Sequence, residues 1–152
     1  MKLVLKSMHI ANFKGIKELD IEFGSEITKI RGMNGSGKSS IADAFNWALF
    51  SKDSKGNAPG SDNFRDKPLD DDGHEIHNLD TEVELIMDLD GSPFNVRKVQ
   101  SEIWTKRRGS TEAVYGGNSA KYWLNGVEIK QSDFKARMAQ VVNDDVFRLV
   151  AT

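Results

Sequence analysis

Along this chain the spacing of apolar positions changes several times, and each change marks an element. From Leu3 to Phe13 the apolar residues Leu3, Val4, Leu5, Met8 and Ile10 crowd together without a long helical stripe, so the segment reads as a strand. Asn12-Phe13-Lys14-Gly15 predicts a turn. Leu19, Ile21 and Phe23 then alternate with Asp20 and Glu22, the period of two of a half-exposed strand. These two strands should pair antiparallel. Ile27 to Arg31, bounded by Gly24-Ser25 and Gly32, predicts a third, short strand, more polar than a buried central one because of Lys29 and Arg31. From Ser39 to Phe50 the period becomes helical: Ile41, Ala44, Phe45, Ala48 and Leu49 form one apolar stripe.

The second half returns to strands. Residues 51–79 are polar and turn-rich, with Gly56, Pro59, Gly60, Pro68 and Gly73, and are expected to be a long solvated loop, either functional or mobile. Val83, Leu85, Met87 and Leu89 then alternate with Glu82, Glu84, Ile86 and Asp88. Asp90-Gly91-Ser92-Pro93 turns the chain, and Phe94 to Thr105 runs back. A second hairpin is signalled by Tyr122-Trp123-Leu124, Asn125-Gly126 and Val127-Glu128-Ile129, since Asn-Gly is the preferred type I′ pair. Ser132 can cap a helix carrying Phe134, Met138, Val141 and Val142. Asn143 or Asp144 can cap a last helical segment with Val146, Phe147, Leu149 and Val150. The ending at Thr152, with no helix-stop signal, reads as a cut.

Between the predicted third strand and the first helix lies the stretch with the clearest chemistry. Gly32-Met33-Asn34-Gly35-Ser36-Gly37-Lys38-Ser39 fits the phosphate-loop pattern G-x-x-x-x-G-K-[ST] at every required position. Glycines let the backbone turn tightly and bring N–H groups against phosphate oxygens where a Cβ would obstruct. Lys38 is placed to reach the β- and γ-phosphates of ATP, and the Ser39 hydroxyl is placed to ligate Mg²⁺. Ser40 offers its N–H and hydroxyl to the α-phosphate, or is simply a first-turn residue. Asn34 shapes the loop through its backbone, together with Gly35, Ser36 and Gly37. The helix that starts here adds its positive dipole end.

Composition narrows the class. The chain has 152 residues, 38% hydrophobic and 29% charged, which suits one globular domain; its expected strands and helices together put it in the α/β class. There are no cysteines and no apolar run long enough for a membrane span, so a cytoplasmic protein without a membrane partner is expected. The formal net charge of −2 carries no nucleic-acid signal, so only local patches could. One such patch is Lys106-Arg107-Arg108, with Arg97 and Lys98 nearby. It reads either as an exposed hairpin tip or as a contact to the DNA backbone. Two tempting motifs in the long loop fail. Setting Gly73 as the sixth residue of a calcium loop leaves Pro68 and Leu79 where carboxylates are needed, and His74-Glu75-Ile76-His77 has the wrong spacing for a zinc helix.

Two strands before a phosphate loop are unusual for a simple nucleotide kinase or GTPase. The run Ile10-Ala11-Asn12-Phe13-Lys14-Gly15-Ile16, the second strand, and the loop continuing through Ser40-Ile41-Ala42-Asp43-Ala44 resemble the N-terminus of SMC-type ATPases, which have ABC-type heads. Within them the chain is most similar to the SbcC-like branch. The matching opening covers about the first 50 residues. The resemblance implies the N-terminal half of an ABC-type head, a P-loop lobe with a mixed or antiparallel sheet and one P-loop helix. It implies ATP and Mg²⁺ as ligands, and a role in DNA repair or chromosome maintenance. As partners it implies the C-terminal half of the same head, a second head in a homodimer, DNA, and an SbcD-like nuclease. It places a basic residue at Lys14 that approaches the nucleotide and couples it to head engagement. A solvated turn lysine is the other reading of Lys14.

What is missing narrows the role. Hydrolysis needs a Walker B strand, four apolar residues followed by Asp-Glu, and a Ser-Gly-Gly signature from the opposing head. The nearest Walker B candidate, Leu85-Ile86-Met87-Asp88, has Leu89 where the catalytic Glu belongs, and its alternation fits a hairpin strand. No Ser-Gly-Gly occurs. Gln131 and Gln140 come too early for the family's γ-phosphate-sensing glutamine. The chain is therefore expected to bind nucleotide with no catalytic residue of its own. The rivals are a self-contained small P-loop kinase or GTPase, disfavoured by the lack of an Asn-Lys-x-Asp motif, and a non-catalytic nucleotide-gated adaptor.

Overall fold

A computed structural model describes residues 3–23, 37–52, 66–106, 108–109, 111–141 and 149–151, with residues 37–40 and 149–151 described by their backbone alone. The strands are β1 (Leu3–Phe13), β2 (Ile16–Glu22), β3 (Thr81–Leu89), β4 (Ser92–Pro93), β5 (Val96–Lys106), β6 (Ala113–Leu124), β7 (Val127–Ile129) and β8 (Leu149–Ala151). The helices are α1 (Gly37–Phe50) and α2 (Gln131–Val141). One sheet runs in the order β2-β1-β3-β5-β6-β7, with β4 paired to β3 and β8 to β1. Every pairing is antiparallel except β8 on β1, so the sheet is mixed.

The uneven apolar spacing of β1 has a geometric cause. Leu3 and Leu5 are buried, and so are Met8, Ile10 and Phe13, which strict alternation forbids. A register shift between Leu5 and Ser7 inserts one residue and moves Met8 onto the core face. At the other end Asn12 takes a left-handed φ of 54°, a conformation asparagine tolerates better than most residues, and this turns Phe13 inward. Both helices cover the core face. Phe13 packs on Trp47 of α1 with ring centroids 5.6 Å apart, and Tyr122 of β6 packs on Phe134 of α2 at 4.6 Å. Burying a side chain such as Phe13 or Leu85 stabilises the fold by about 1.5–3 kcal/mol.

Several expectations hold, and several do not. The first two strands pair antiparallel as expected, with Ile10 opposite Leu19. The Walker B candidate lies in β3, antiparallel between β1 and β5, where Asp88 pairs with Lys6 at 2.8 Å, so the hairpin reading stands. Helix α2 begins at Gln131, one residue ahead of Ser132, and buries Phe134, Met138 and Val141. The predicted strand at 27–31 and residue Val142 lie outside the described residues. The last helical segment is not a helix where it is described. Leu149–Ala151 is a strand parallel to Leu3–Leu5, the part of β1 that β2 leaves unpaired, and hydrogen bonding to that edge overrides the helix expected at Leu149 and Val150; residues 143–148 lie outside the described residues. Strand β6 also starts nine residues before Tyr122. Its outer half is exposed and carries Gly116-Gly117-Asn118-Ser119, so no apolar alternation announced it.

The basic patch divides. Lys98 is 2% exposed because it shares a face with buried Val96 two residues earlier. Its ammonium donates to the Trp47 carbonyl at 3.2 Å and to Ser51 Oγ at 2.9 Å, and it lies 4.0 Å from the Trp47 ring centroid. Ser51, with φ at 56°, ends α1, so Lys98 is a cation at the negative end of that helix. Arg97 points the other way, pairs with Glu82, and stacks 4.5 Å from the Trp123 ring. Nine residues of strand, roughly 30 Å, separate Arg97 from Lys106. Neither Arg97 nor Lys98 belongs with the hairpin tip.

Burial pushes the Lys98 ammonium down to about 7 from 10.5; Asp66 partly offsets this and Lys135 adds to it. With the folded pKa below the unfolded one, the unfolded chain binds more protons between about pH 7 and 10.5, so stability rises with pH across that window. Denaturant midpoints measured from pH 6.5 to 10 should therefore rise, and the rise should flatten in Lys98→Met. An equal rise in the variant would assign it to other groups.

Candidate nucleotide-phosphate site

Helix α1 begins at Gly37, so Gly37, Lys38, Ser39 and Ser40 form its first turn. The N–H groups of a helix's first turn have no intrahelical acceptor and point toward whatever lies beyond the terminus. Asn34, Gly35 and Ser36, expected to line the phosphates with them, lie outside the described residues. The stripe expected of this helix is confirmed in part. Ala44, Phe45, Ala48 and Leu49 are buried, Ile41 is half-buried, and Trp47 at 1% exposed is the largest buried side chain of all.

Lys14 reaches this helix from the turn between β1 and β2. It also takes a left-handed φ, 52°, so both neighbours of Phe13 occupy a region disfavoured for residues with a Cβ. Such a turn persists only when its surroundings hold it. Asn12 Nδ2 donates to the Asp80 carbonyl at 3.0 Å, and Thr81 Oγ1 donates to the Asn12 carbonyl at 2.9 Å. The Lys14 N–H donates to the Lys67 carbonyl at 3.1 Å, and the Leu69 N–H donates to the Lys14 carbonyl at 2.6 Å. Phe13 anchors the middle. So fixed, the Lys14 ammonium donates to Asp43 Oδ2 at 2.6 Å, with side-chain exposures of 19% and 10%. Asp43 lies six residues along α1 from Gly37, about 9 Å. Lys14 is therefore no solvated turn lysine: it is held against the flank of the helix whose first turn carries Lys38 and Ser39.

The long polar loop is likewise not uniformly solvated. Asp66 and Lys67 are each 9% exposed. The Trp47 indole N–H donates to Asp66 Oδ2 at 3.0 Å, and Lys14 clamps the chain on either side of Pro68, donating its N–H to the Lys67 carbonyl and accepting the Leu69 N–H. Residues 53–65 lie outside the described residues. The failed calcium loop is a capped turn, in which Asp70 Oδ1 accepts the N–H groups of Asp72 and His74, each at 2.9 Å. His74 stays by Asp70, whereas His77 turns to Glu102, so the two histidines share no ligand position. At the hairpin tip Lys106 and Arg108 are exposed, and Arg107 lies outside the described residues. Reading the sequence missed Asp43 as the partner of Lys14. Its signal was a carboxylate on the buried side of the stripe, four residues before Trp47.

A protein-family profile described as AAA domain matches residues 7–148. Over 84 residues the chain is 37% identical to the DNA double-strand break repair Rad50 ATPase of Methanococcus maripaludis, a match that covers 55% of this chain and 8% of that protein. Over 137 residues it is 28% identical to the chromosome partition protein Smc of Rhodopirellula baltica, covering 88% of this chain and 10% of that protein. Over 53 residues it is 43% identical to the DNA replication and repair protein RecF of Chlorobaculum tepidum, 35% of this chain and 14% of that protein. The chain thus spans about a tenth of the length of these relatives. No helix among the described residues is long and apolar enough to cross a membrane.

The segment that clamps Lys14 is tied in turn to the long β5–β6 hairpin. Lys67 Nζ donates to Glu102 Oε2 at 2.9 Å and to Tyr115 Oη at 2.8 Å. Glu102, with a side chain 5% exposed, also accepts the Asn78 N–H at 2.6 Å and lies 2.9 Å from His77 Nδ1. Burial pushes the Glu102 carboxyl up, but the bonds from Lys67, His77 and Asn78 outweigh it and bring it to about 2 from 4.5. A depressed carboxyl stabilises the fold fully above its unfolded pKa, and the contribution is lost as pH falls through the folded one. Acid unfolding followed by tryptophan fluorescence should show that loss between about pH 4.5 and 2. Glu102→Gln should be less stable at pH 7 and should lack that limb; an unchanged acid profile would remove Glu102 from the account.

Proposed function

Because the chain belongs to the AAA-domain family and is an SMC/Rad50-like ATPase chain, we propose that it binds ATP and Mg²⁺ through the phosphate loop at the head of α1. The observation that carries this reading is the register of helix on motif. The helix begins at Gly37, so the N–H groups of Gly37, Lys38, Ser39 and Ser40 are its unshared first-turn donors, an arrangement that favours anions. The donor set fits a triphosphate with Mg²⁺: a lysine for the β- and γ-oxygens, a hydroxyl directly after it for the cation, and glycines where the backbone must come close. When bound, the Mg²⁺ neutralises charge developing on the transferred phosphoryl group. By their place in the motif we assign Asn34, Gly35 and Ser36 to the same phosphate contacts.

Lys14 serves this site from the side. Clamped by Lys67 and Leu69 and paired with Asp43, it holds a positive charge against the P-loop helix and passes nucleotide occupancy to the contact with a second head. The 152 residues hold neither a Walker B strand ending in Asp-Glu nor a Ser-Gly-Gly signature. We therefore assign hydrolysis to a site completed by the C-terminal half of the same head and by the second head. The whole protein then works on DNA in repair or chromosome maintenance, alongside a nuclease of the SbcD kind. The exposed Lys106 and Arg108, with Arg107 between them, are the residues we assign to DNA phosphates.

Lys38→Ala should weaken ATP binding about tenfold or more, the loss expected of a charge-assisted contact; calorimetry showing undiminished affinity would remove the phosphate loop from the account. Lys14→Ala should lower ATP-dependent head association more than it lowers the denaturation midpoint, and equal losses would reduce Lys14 to a structural residue. Turnover by the chain alone at about 1–10³ s⁻¹ would end the proposal of a divided site. Changing Lys106 and Arg108 together to Ala should reduce the salt slope of DNA binding by about two, and an unchanged slope would leave the hairpin tip as a solvated turn.

A further inference from the structure

Lys98 faces a cavity that the nucleotide reading does not use. The cavity has a volume of about 390 Å³ and lies at the C-terminal end of α1, floored by Trp47 and Tyr122. Helix α1 has 14 residues, so about 20 Å separates its two ends. This space is distinct from the phosphate loop.

The charges around the cavity do not balance. Among the described residues Lys52, Lys98 and Lys135 line it, against a single carboxylate, Asp66. That carboxylate already accepts the Trp47 indole N–H. Capping α1 accounts for two of the three N–H groups of Lys98, those given to the Trp47 carbonyl and Ser51 Oγ. Among the described residues no acceptor takes the third. Capping also leaves Lys135 unexplained, a second cation brought from α2 to the same wall. Like charges facing a common space are unfavourable unless a counter-charge lies between them. The amides of Gln100 and Gln131 on the wall can each donate as well as accept.

We propose that this cavity is a second ligand site, taking the phosphate or carboxylate head of a small polar anion between Lys98 and Lys135, with Trp47 and Tyr122 beneath it. Its volume falls in the lower part of the range of small-molecule sites, about 300–1,000 Å³. The buried ammonium, brought to about 7 by desolvation, regains its proton when an anion sits beside it, because an opposite charge favours the charged form. The phosphate loop recognises a triphosphate through backbone N–H groups. This site recognises an anionic head through two lysine side chains from different elements.

The test follows the three indole N–H signals by NMR in the full chain, titrated separately with inorganic phosphate and with citrate. The Trp47 signal should move saturably with one or both, while that of Trp123, on the other sheet face, stays in place. Movement with phosphate alone or with citrate alone decides which head the site takes. The movement should persist in Lys38→Ala, which disables the phosphate loop. It should need about tenfold more anion in Lys135→Gln and in Lys98→Met, as expected on losing a charged donor. Lys135 is exposed, so its variant decides the matter if Lys98→Met does not fold. Absence of a saturable shift, a shift abolished by Lys38→Ala, or one untouched by Lys135→Gln would overturn the proposal.

Discussion

Trp47 holds together the parts of this chain that local sequence would leave apart. Its ring packs on Phe13 from the first strand and carries the Lys98 ammonium of β5 at 4.0 Å. Its indole N–H is spent on Asp66, at the re-entry of the long loop, and its carbonyl accepts Lys98 at the end of the helix. One side chain, 1% exposed, thus ties the P-loop helix to the β1 turn, to the centre of the sheet and to the loop. An aromatic ring with one polar atom suits this position, because it buries a large apolar area and still directs a single hydrogen bond. The ring also gives the buried ammonium a partner that costs no second charge.

The candidate nucleotide site inherits its geometry from that junction. Phe13 seats against Trp47 only because Asn12 is left-handed, and the left-handed Lys14 follows from the same reversal. Lys67 and Leu69 fasten the backbone of Lys14, and Asp43, one helical turn before Trp47, receives its ammonium. A disfavoured backbone conformation at the two non-glycine positions that flank Phe13 is a cost borne by the fold, and it places a cation beside the helix that begins at Gly37. The same segment reaches outward through Lys67 to Glu102. The turn held against α1 and the long β5–β6 hairpin therefore share one set of hydrogen bonds.

Charge is distributed by strand parity more than by sequence proximity. Arg97 and Lys98 are neighbours in the chain, yet one stacks on Trp123 at the open face while the other is sealed under α1. Lys106, at the far end of the same strand, is exposed with Arg108. A run of basic residues that looks like one patch is thus three different objects. One is an ion pair on a sheet face, one a helix cap facing a cavity, and one a free hairpin tip.

The sequence alone marked the phosphate-loop motif, and it determined the helix that follows, the antiparallel pair before it and the family. Each of these is local: a motif read at fixed spacing, or a period of two or 3.6 maintained over a few turns. It also determined that Leu85-Ile86-Met87-Asp88 was a hairpin strand, because alternation is a property of neighbours. Tertiary structure alone decided the rest. The partner of Lys14 comes from 29 residues away, and the burial of Lys98 depends on which face of β5 meets α1. Leu149–Ala151 became a strand because an unpaired stretch of β1 lay open to it, and the exposed half of β6 is defined by backbone hydrogen bonds to β5 and by the contacts of Tyr115 with Lys67 and Trp104, not by apolar alternation. Periodicity reports whether a residue is turned toward a core. It does not report which distant polar group waits there, and that second fact places the charges around the site.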